Sequence, residues 1–384
     1  MMDLPQLTPK SVSALTTLGA TLALVASGMA RDAGPTAYAQ SSVVAPGATP
    51  VSLAGGFVFT EGPAADAAGN IYFTDVRAAR IHRWDLEGAL TTHREDSGGA
   101  NGLYFDREGR LVICEGAGRR ISRDDLQGGL EVLADAYDGK RLNSPNDLWI
   151  DPKGGIYFSD PRYGSTADVE QDGYHVYYLP PDGRPLLRVT DDLVTPNGVI
   201  GTIDGATLYI ADPGQGANTT WRYAIQPDGS LADKTVLVAR GADGMALDER
   251  GNVYLASGSS IWVTASTGET LESIPLPEPP TNMAFGGADR RTLFITARTS
   301  FFSLAMAVRG ADAVWDYPPA PSTETPVATP PTQAPTALAT VIVPPSATSP
   351  AEPTAVPTAS QTPPSLPPVG VLFVPSVSTG LPSG

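Results

Sequence analysis

One pattern recurs six times in phase between residues 61 and 296, and it limits the possible folds more than any other feature of the chain. Each copy opens on a carboxylate or amide side chain and runs through a small apolar stretch. It then turns at a polar residue with glycine and enters a strand alternating Tyr, Phe, Ile and Val. The first copy reads Glu61-Gly62-Pro63-Ala64-Ala65-Asp66 and, after Gly69, Asn70-Ile71-Tyr72-Phe73-Thr74-Asp75. The others open on Asn101, Asn146, Asn197, Asp243 and Asn282, at spacings of 40, 45, 51, 46 and 39 residues. Two further strands fit in each period, for example Arg80–Trp84 and another beyond the next glycine turn. Four short strands in about 40–50 residues is the pattern of a propeller blade. The expectation is an all-β, six-bladed β-propeller. Val51–Phe59 would supply the outer strand that closes the ring onto the last blade. A β-sandwich with fortuitous Asp-Gly turns would not keep six copies in phase.

The innermost strand of each blade runs beside the central channel, so equivalent positions in successive blades form a ring. Here that ring is Glu61, Asn101, Asn146, Asn197, Asp243 and Asn282. Singly, an Asn-Gly or Asp-Gly pair is a common turn dipeptide and Glu61 a solvated charge. Six in register are not explained that way, because a turn does not need such a residue in every blade. Carboxylates and amide carbonyls without His or Cys form a hard-oxygen set, which predicts a divalent metal site in the channel. Ca²⁺ is the first expectation, ahead of Mg²⁺, Mn²⁺ and Zn²⁺. Glu61 and Asp243 would neutralise one such ion, and water would fill the open positions.

The flanks are different polymers. Lys10 precedes an uncharged stretch, Val12–Ala30, and Ala37-Tyr38-Ala39 offers small residues for cleavage before Gln40, so residues 1–39 read as a signal peptide. Gly28-Met29-Ala30 is a second possible cleavage site, and a retained N-terminal anchor is the alternative. Either places the rest outside the cytoplasmic membrane: secreted, at the cell surface or periplasmic. Residues 318–384 hold 18 of the 37 prolines and little but Thr, Ser, Ala and Val beside them, and read as a disordered tail. The propeller is left with residues 40–317. The net charge of −16, from 25 basic and 41 acidic residues, argues against nucleic acid or an anionic membrane as partner. A single cysteine, Cys114, excludes an internal disulfide framework.

At its ring residues the sequence resembles the gluconolactonase-like family, also called the senescence marker protein-30 or regucalcin family. The matching runs are Thr60–Pro63, Ala100–Leu103, Arg141–Asp147, Ser159–Gly164, Thr195–Gly198 and Ala242–Met245 with Asp248 and Gly251. The resemblance implies a six-bladed propeller whose channel metal is held by Glu61, Asn146, Asn197 and Asp243. It also implies lactone hydrolysis with Asp243 as candidate general base. The substrate would be a sugar lactone similar to gluconolactone, with Asn101, Arg141, Asn143 and Asn282 as substrate-facing candidates. Two other functions stay open: a related metal-dependent esterase or phosphotriesterase, and a non-catalytic calcium-binding propeller. His82, His93 and His175 share no spacing and suggest no triad or metal array. The five tryptophans are expected to pack between blades. The sequence does not indicate an oligomeric state.

Overall fold

A computed structural model describes residues 42–312. The expected signal peptide and tail lie outside the described residues. Within them the chain forms six four-stranded antiparallel sheets in sequence order, with one small hairpin, Ala136–Tyr137 and Lys140–Arg141, between the second and third. The innermost strands are Thr60–Ala65, Ala100–Phe105, Leu148–Ile150, Val199–Gly201, Met245–Leu247 and Asn282–Gly286. This is the six-bladed propeller arrangement the repeat predicts, and every innermost strand begins within two residues of a ring residue.

Closure works as a strand exchange. The last blade takes three strands from Asn282–Ala305 and its outermost strand from Val51–Gly55, which pairs antiparallel with Ser300–Ala305. The closing strand is shorter than the Val51–Phe59 expected from sequence. The reason is local: the Val58 and Phe59 amides turn away and donate to the Asp75 carboxylate, each at 2.9 Å. Thr60 then locks the seam. Its amide donates to Arg298 O at 2.6 Å, and its hydroxyl donates to Ser300 O at 3.1 Å and accepts from Ala297 N at 3.2 Å. Phe73 stacks on Phe301 across the same seam, with ring centroids 4.3 Å apart.

The apolar core is not one central mass but a series of layers between neighbouring blades. One layer joins the third, fourth and fifth blades through Trp149, Tyr157, Leu208, Ile210, Leu247 and Leu255. Others fill the junctions of the first with the second, the second with the third, and the fifth with the sixth. Alternation along each strand puts apolar side chains on both faces, so a blade is buried on two sides and the channel edge is left for polar groups. Trp149 is fully buried in its layer, while Trp221 and Trp262 lie under Lys234 and Arg240. Cys114 is a buried member of the layer between the second and third blades.

The glycine after a ring residue has a packing role rather than a turn role. Gly62 has φ +41°, and a Cβ there would stand 2.0 Å from Asn101 O. At Gly244 an added Cβ would stand 2.0 Å from Asn282 Cγ. These glycines therefore let one blade press directly against the ring residue of the next, which a side chain would push off.

Candidate active site

Five of the six ring residues, Glu61, Asn101, Asn146, Asn197 and Asp243, line one open cavity of about 1130 Å³ at the channel mouth. Their backbones are set by the blades. The amides of Asn146, Asn197 and Asp243 each donate at 2.9 Å to the carbonyl of the strand behind, on Ser159, Ala211 and Ala256. Equivalent hydrogen bonds in three blades bring three side chains to one level. The Asn146 backbone is also held from the preceding blade, where Gly102 N donates to its carbonyl at 2.7 Å. Its amide group is left to the cavity.

Asn197 Nδ2 donates twice, to Asp243 Oδ1 at 2.7 Å and to the phenolic oxygen of Tyr163 at 2.9 Å. That fixes the Asp243 carboxylate by one oxygen and leaves Oδ2 uncommitted to Asn197. It also leaves Oδ1 as the one oxygen Asn197 can offer a cation. Glu61 Oε2 accepts from Gly62 N at 3.0 Å.

The electrostatics are those of a carboxylate cluster short of positive charge. Burial raises the Glu61 carboxyl well above its ordinary value, and the Asp243 charge raises it further. Burial pushes Asp243 up to about 6, opposed by the Asn197 hydrogen bond and by Arg298. Asp147, beneath Asn146, is pushed up to about 7 by burial, against the backbone amides of Val199 and Leu148. No basic side chain is among the main influences on Glu61 or Asp147. Among the described residues, no three His, Cys, Asp or Glu side chains converge on one point. A cation in this mouth would therefore draw on the Asn oxygens as well. The donor set fits a hard divalent ion: the buried Glu61 and the half-buried Asp243, two carboxylates of like charge, with amide oxygens beside them. Asn101, which also lines the cavity, has a buried Oδ1 with no hydrogen-bond partner.

The remaining expected residues stand elsewhere. Asn282 lines a separate cavity of about 70 Å³ behind the ring, together with Asp147. There its amide lies near enough to Glu61 and Asp147 to lower both carboxyls, and its Oδ1 accepts from Met283 N at 2.8 Å. The segment after the last strand crosses that end of the channel, with Ala311 N donating to Leu247 O at 3.0 Å. Arg141 is exposed on the small hairpin and does not line the mouth. Asn143 is fully buried, its Nδ2 donating to Asp160 O at 3.1 Å and Gly173 O at 2.9 Å. Both precede Asn146 closely in sequence, but the chain reaches the channel only at Ser144. None of the three histidines lines the cavity: His82 packs on Phe57, His93 bonds Asp124 and His175 bonds Asp172.

Tyr163 is the site residue that the sequence pattern does not single out. It lies within the Ser159–Gly164 match, but residues 161–174 have no counterpart in other blades, so no repeat position marks it. Its phenol is pushed above the ordinary tyrosine value by burial and by the Asp243 and Glu61 charges.

The comparisons agree with this fold. The family profile described as SMP-30/Gluconolactonase/LRE-like region matches residues 59–299. The gluconolactonase of Zymomonas mobilis is 29% identical over 282 residues, covering 65% of this chain and 79% of that protein. The 6-deoxy-6-sulfogluconolactonase of Pseudomonas putida is 28% identical over 263 residues, covering 65% of this chain and 83% of its own length. A solved gluconolactonase from Xanthomonas campestris superposes with a TM-score of 0.65 at 33% identity, over 69% of this chain and 91% of that one. Repeat, closure, ring residues and relatives lead to one assignment: the chain belongs to the SMP-30/gluconolactonase/LRE-like family.

Proposed function

We propose that this protein is a divalent-metal-dependent lactonase that opens a hydroxylated sugar lactone to its hydroxy acid, working outside the cytoplasmic membrane. The carrying observation is the Asn197–Asp243 pair, a half-buried carboxylate held by one oxygen in a polar mouth beside Glu61 and Asn146. The lactonases among the relatives support the reaction class. The location rests on the sequence pattern of residues 1–39 alone.

Glu61, Asn146, Asn197 and Asp243 would hold the ion, with Ca²⁺ the first candidate. When bound, a divalent cation supplies Lewis-acid polarisation of the lactone carbonyl. The protein groups do the rest. Asn197 keeps Asp243 Oδ1 engaged, so Oδ2 accepts the proton of the attacking water as its oxygen adds to the carbonyl carbon. The ring C–O bond then breaks, and the proton held at Oδ2 passes to the departing ring oxygen, giving the hydroxy acid. The unpartnered Asn101 Oδ1 accepts from a substrate hydroxyl.

The test is hydrolysis of a lactone panel by the purified chain after EDTA treatment and reloading with Ca²⁺, Mg²⁺, Mn²⁺ or Zn²⁺. Wild type should turn over at least one sugar lactone, and Asp243→Asn should lose on the order of a hundredfold or more in kcat. Asn146→Ala should lose calcium affinity by calorimetry. A reloaded wild type no faster than Asp243→Asn on every lactone sinks the proposal.

A further inference from the structure

The connection between the second and third strands of the third blade stands apart from its equivalents. It spans residues 161–174, whereas the other blades use 76–79, 116–119, 213–218, 258–259 and 298–299. This loop is tied down at several points. Arg162 donates to Asn143 O at 3.0 Å and Ser165 O at 2.9 Å, and pairs with Asp168. From the second blade, the buried Arg119 donates to Leu142 O at 2.6 Å and to Asp168 O at 3.0 Å. Asn143 Nδ2 holds Gly173 O at 2.9 Å, and Arg141 N donates to Glu170 at 2.9 Å. The residues between the hairpin and the channel thus brace the loop.

The braced loop carries Tyr163 to the mouth. Its ring is half exposed, but its oxygen accepts from Asn197 Nδ2 at 2.9 Å. An amide nitrogen can only donate, so the phenol must use a lone pair there and keep its own hydrogen for something else. No acceptor for that hydrogen lies among the described residues. Around it stand Asn101, Ser144, Thr195, Gln215 and Ser257, side chains suited to hydroxyl groups rather than to an apolar ring.

We propose that Tyr163 is a specificity-determining residue, donating its O–H to a ring hydroxyl of the substrate and so selecting polyhydroxylated lactones over unsubstituted ones. This rests on the lactonase reading above. Tyr163→Phe keeps the ring and removes the O–H donor together with the oxygen that accepts from Asn197. The measurement is kcat and KM for glucono-1,5-lactone and for δ-valerolactone, which has the ring ester but no hydroxyl. For glucono-1,5-lactone, kcat/KM should fall about tenfold, mainly through KM, the scale of one lost neutral hydrogen bond. For δ-valerolactone the fall should be several-fold smaller, no more than the loss of the Asn197 contact brings to any substrate. Equal losses on both substrates would overturn the proposal, because Tyr163 would then serve Asn197 or the leaving oxygen. No loss on either would overturn it as well. A wild type that hydrolyses neither lactone defeats the underlying reaction, a result distinct from the other two.

Discussion

A methyl group on Gly62 would sit 2.0 Å from Asn101 O and 2.6 Å from the Cα of Gly102, both backbone atoms of the next blade. Neither can swing aside as a flexible side chain could. Gly62→Ala should therefore lower stability by about 2 kcal/mol or more, from overpacking plus the cost of a positive φ, measured by denaturant unfolding. The variant should stay near wild type only if the first two blades can separate. At this scale the sequence is legible through the repeat. Taken alone, Asn101-Gly102 is a turn dipeptide; taken with its equivalents, it is a polar residue at the channel edge and a glycine that lets it approach. Arg141, Asn143 and Asn282 were less legible, because closeness in sequence to a ring residue, or a ring position itself, does not say which end of the channel a side chain faces. Asn282 lines the smaller cavity with Asp147 rather than the mouth.

At the scale of elements, one device recurs in three blades. The carboxylate ending the second strand accepts two consecutive backbone amides from the approach to the innermost strand. Asp75 takes Val58 and Phe59, Asp160 takes Asn143 and Ser144, and Asp212 takes Val194 and Thr195. These amides have no strand partner, so the carboxylate satisfies groups that would otherwise be orphaned. The first of these clamps shortens the closing strand. The seam beyond it depends on Thr60, whose hydroxyl has one donor and one acceptor bond across the junction. Thr60→Val keeps the shape but leaves Ser300 O and Ala297 N without that partner, and should cost about 1–3 kcal/mol in thermal or denaturant unfolding. A loss below a few tenths of a kcal/mol would mean the strand pairing alone holds the seam. The repeat made the blades legible but not the connection at 161–174, since an insertion in one blade has nothing to be compared with.

For the whole molecule, the buried carboxylates make stability a function of pH and of bound cations. Asp147 and Asp160 are pushed up to about 7 and Asp243 to about 6, chiefly by burial, against about 4 in an unfolded chain. Between those values the folded state holds protons that the unfolded state has released, so stability falls as pH rises. The contribution is fully present below about 4 and lost on passing through 6–7. With EDTA, the melting temperature should therefore drop between pH 5.5 and 8, net of other groups. Millimolar Ca²⁺ should flatten that drop, because a cation favours the ionised Glu61 and Asp243. Melting curves with the same slope in both buffers would count against a cation at the ring.

Ring closure also bears on how this chain acquires its fold. Val51 finds its partner at Ser303, so the first strand of the propeller can be paired only after the last blade has been synthesised. Contacts so distant in sequence come late, because the entropy of closing the loop is spent before the contact returns anything. Until then the sixth blade has an open edge and Phe73 lacks its stacking partner, Phe301. The propeller of such a growing chain stays open until Ser303 has been made, and is exposed to aggregation for that interval.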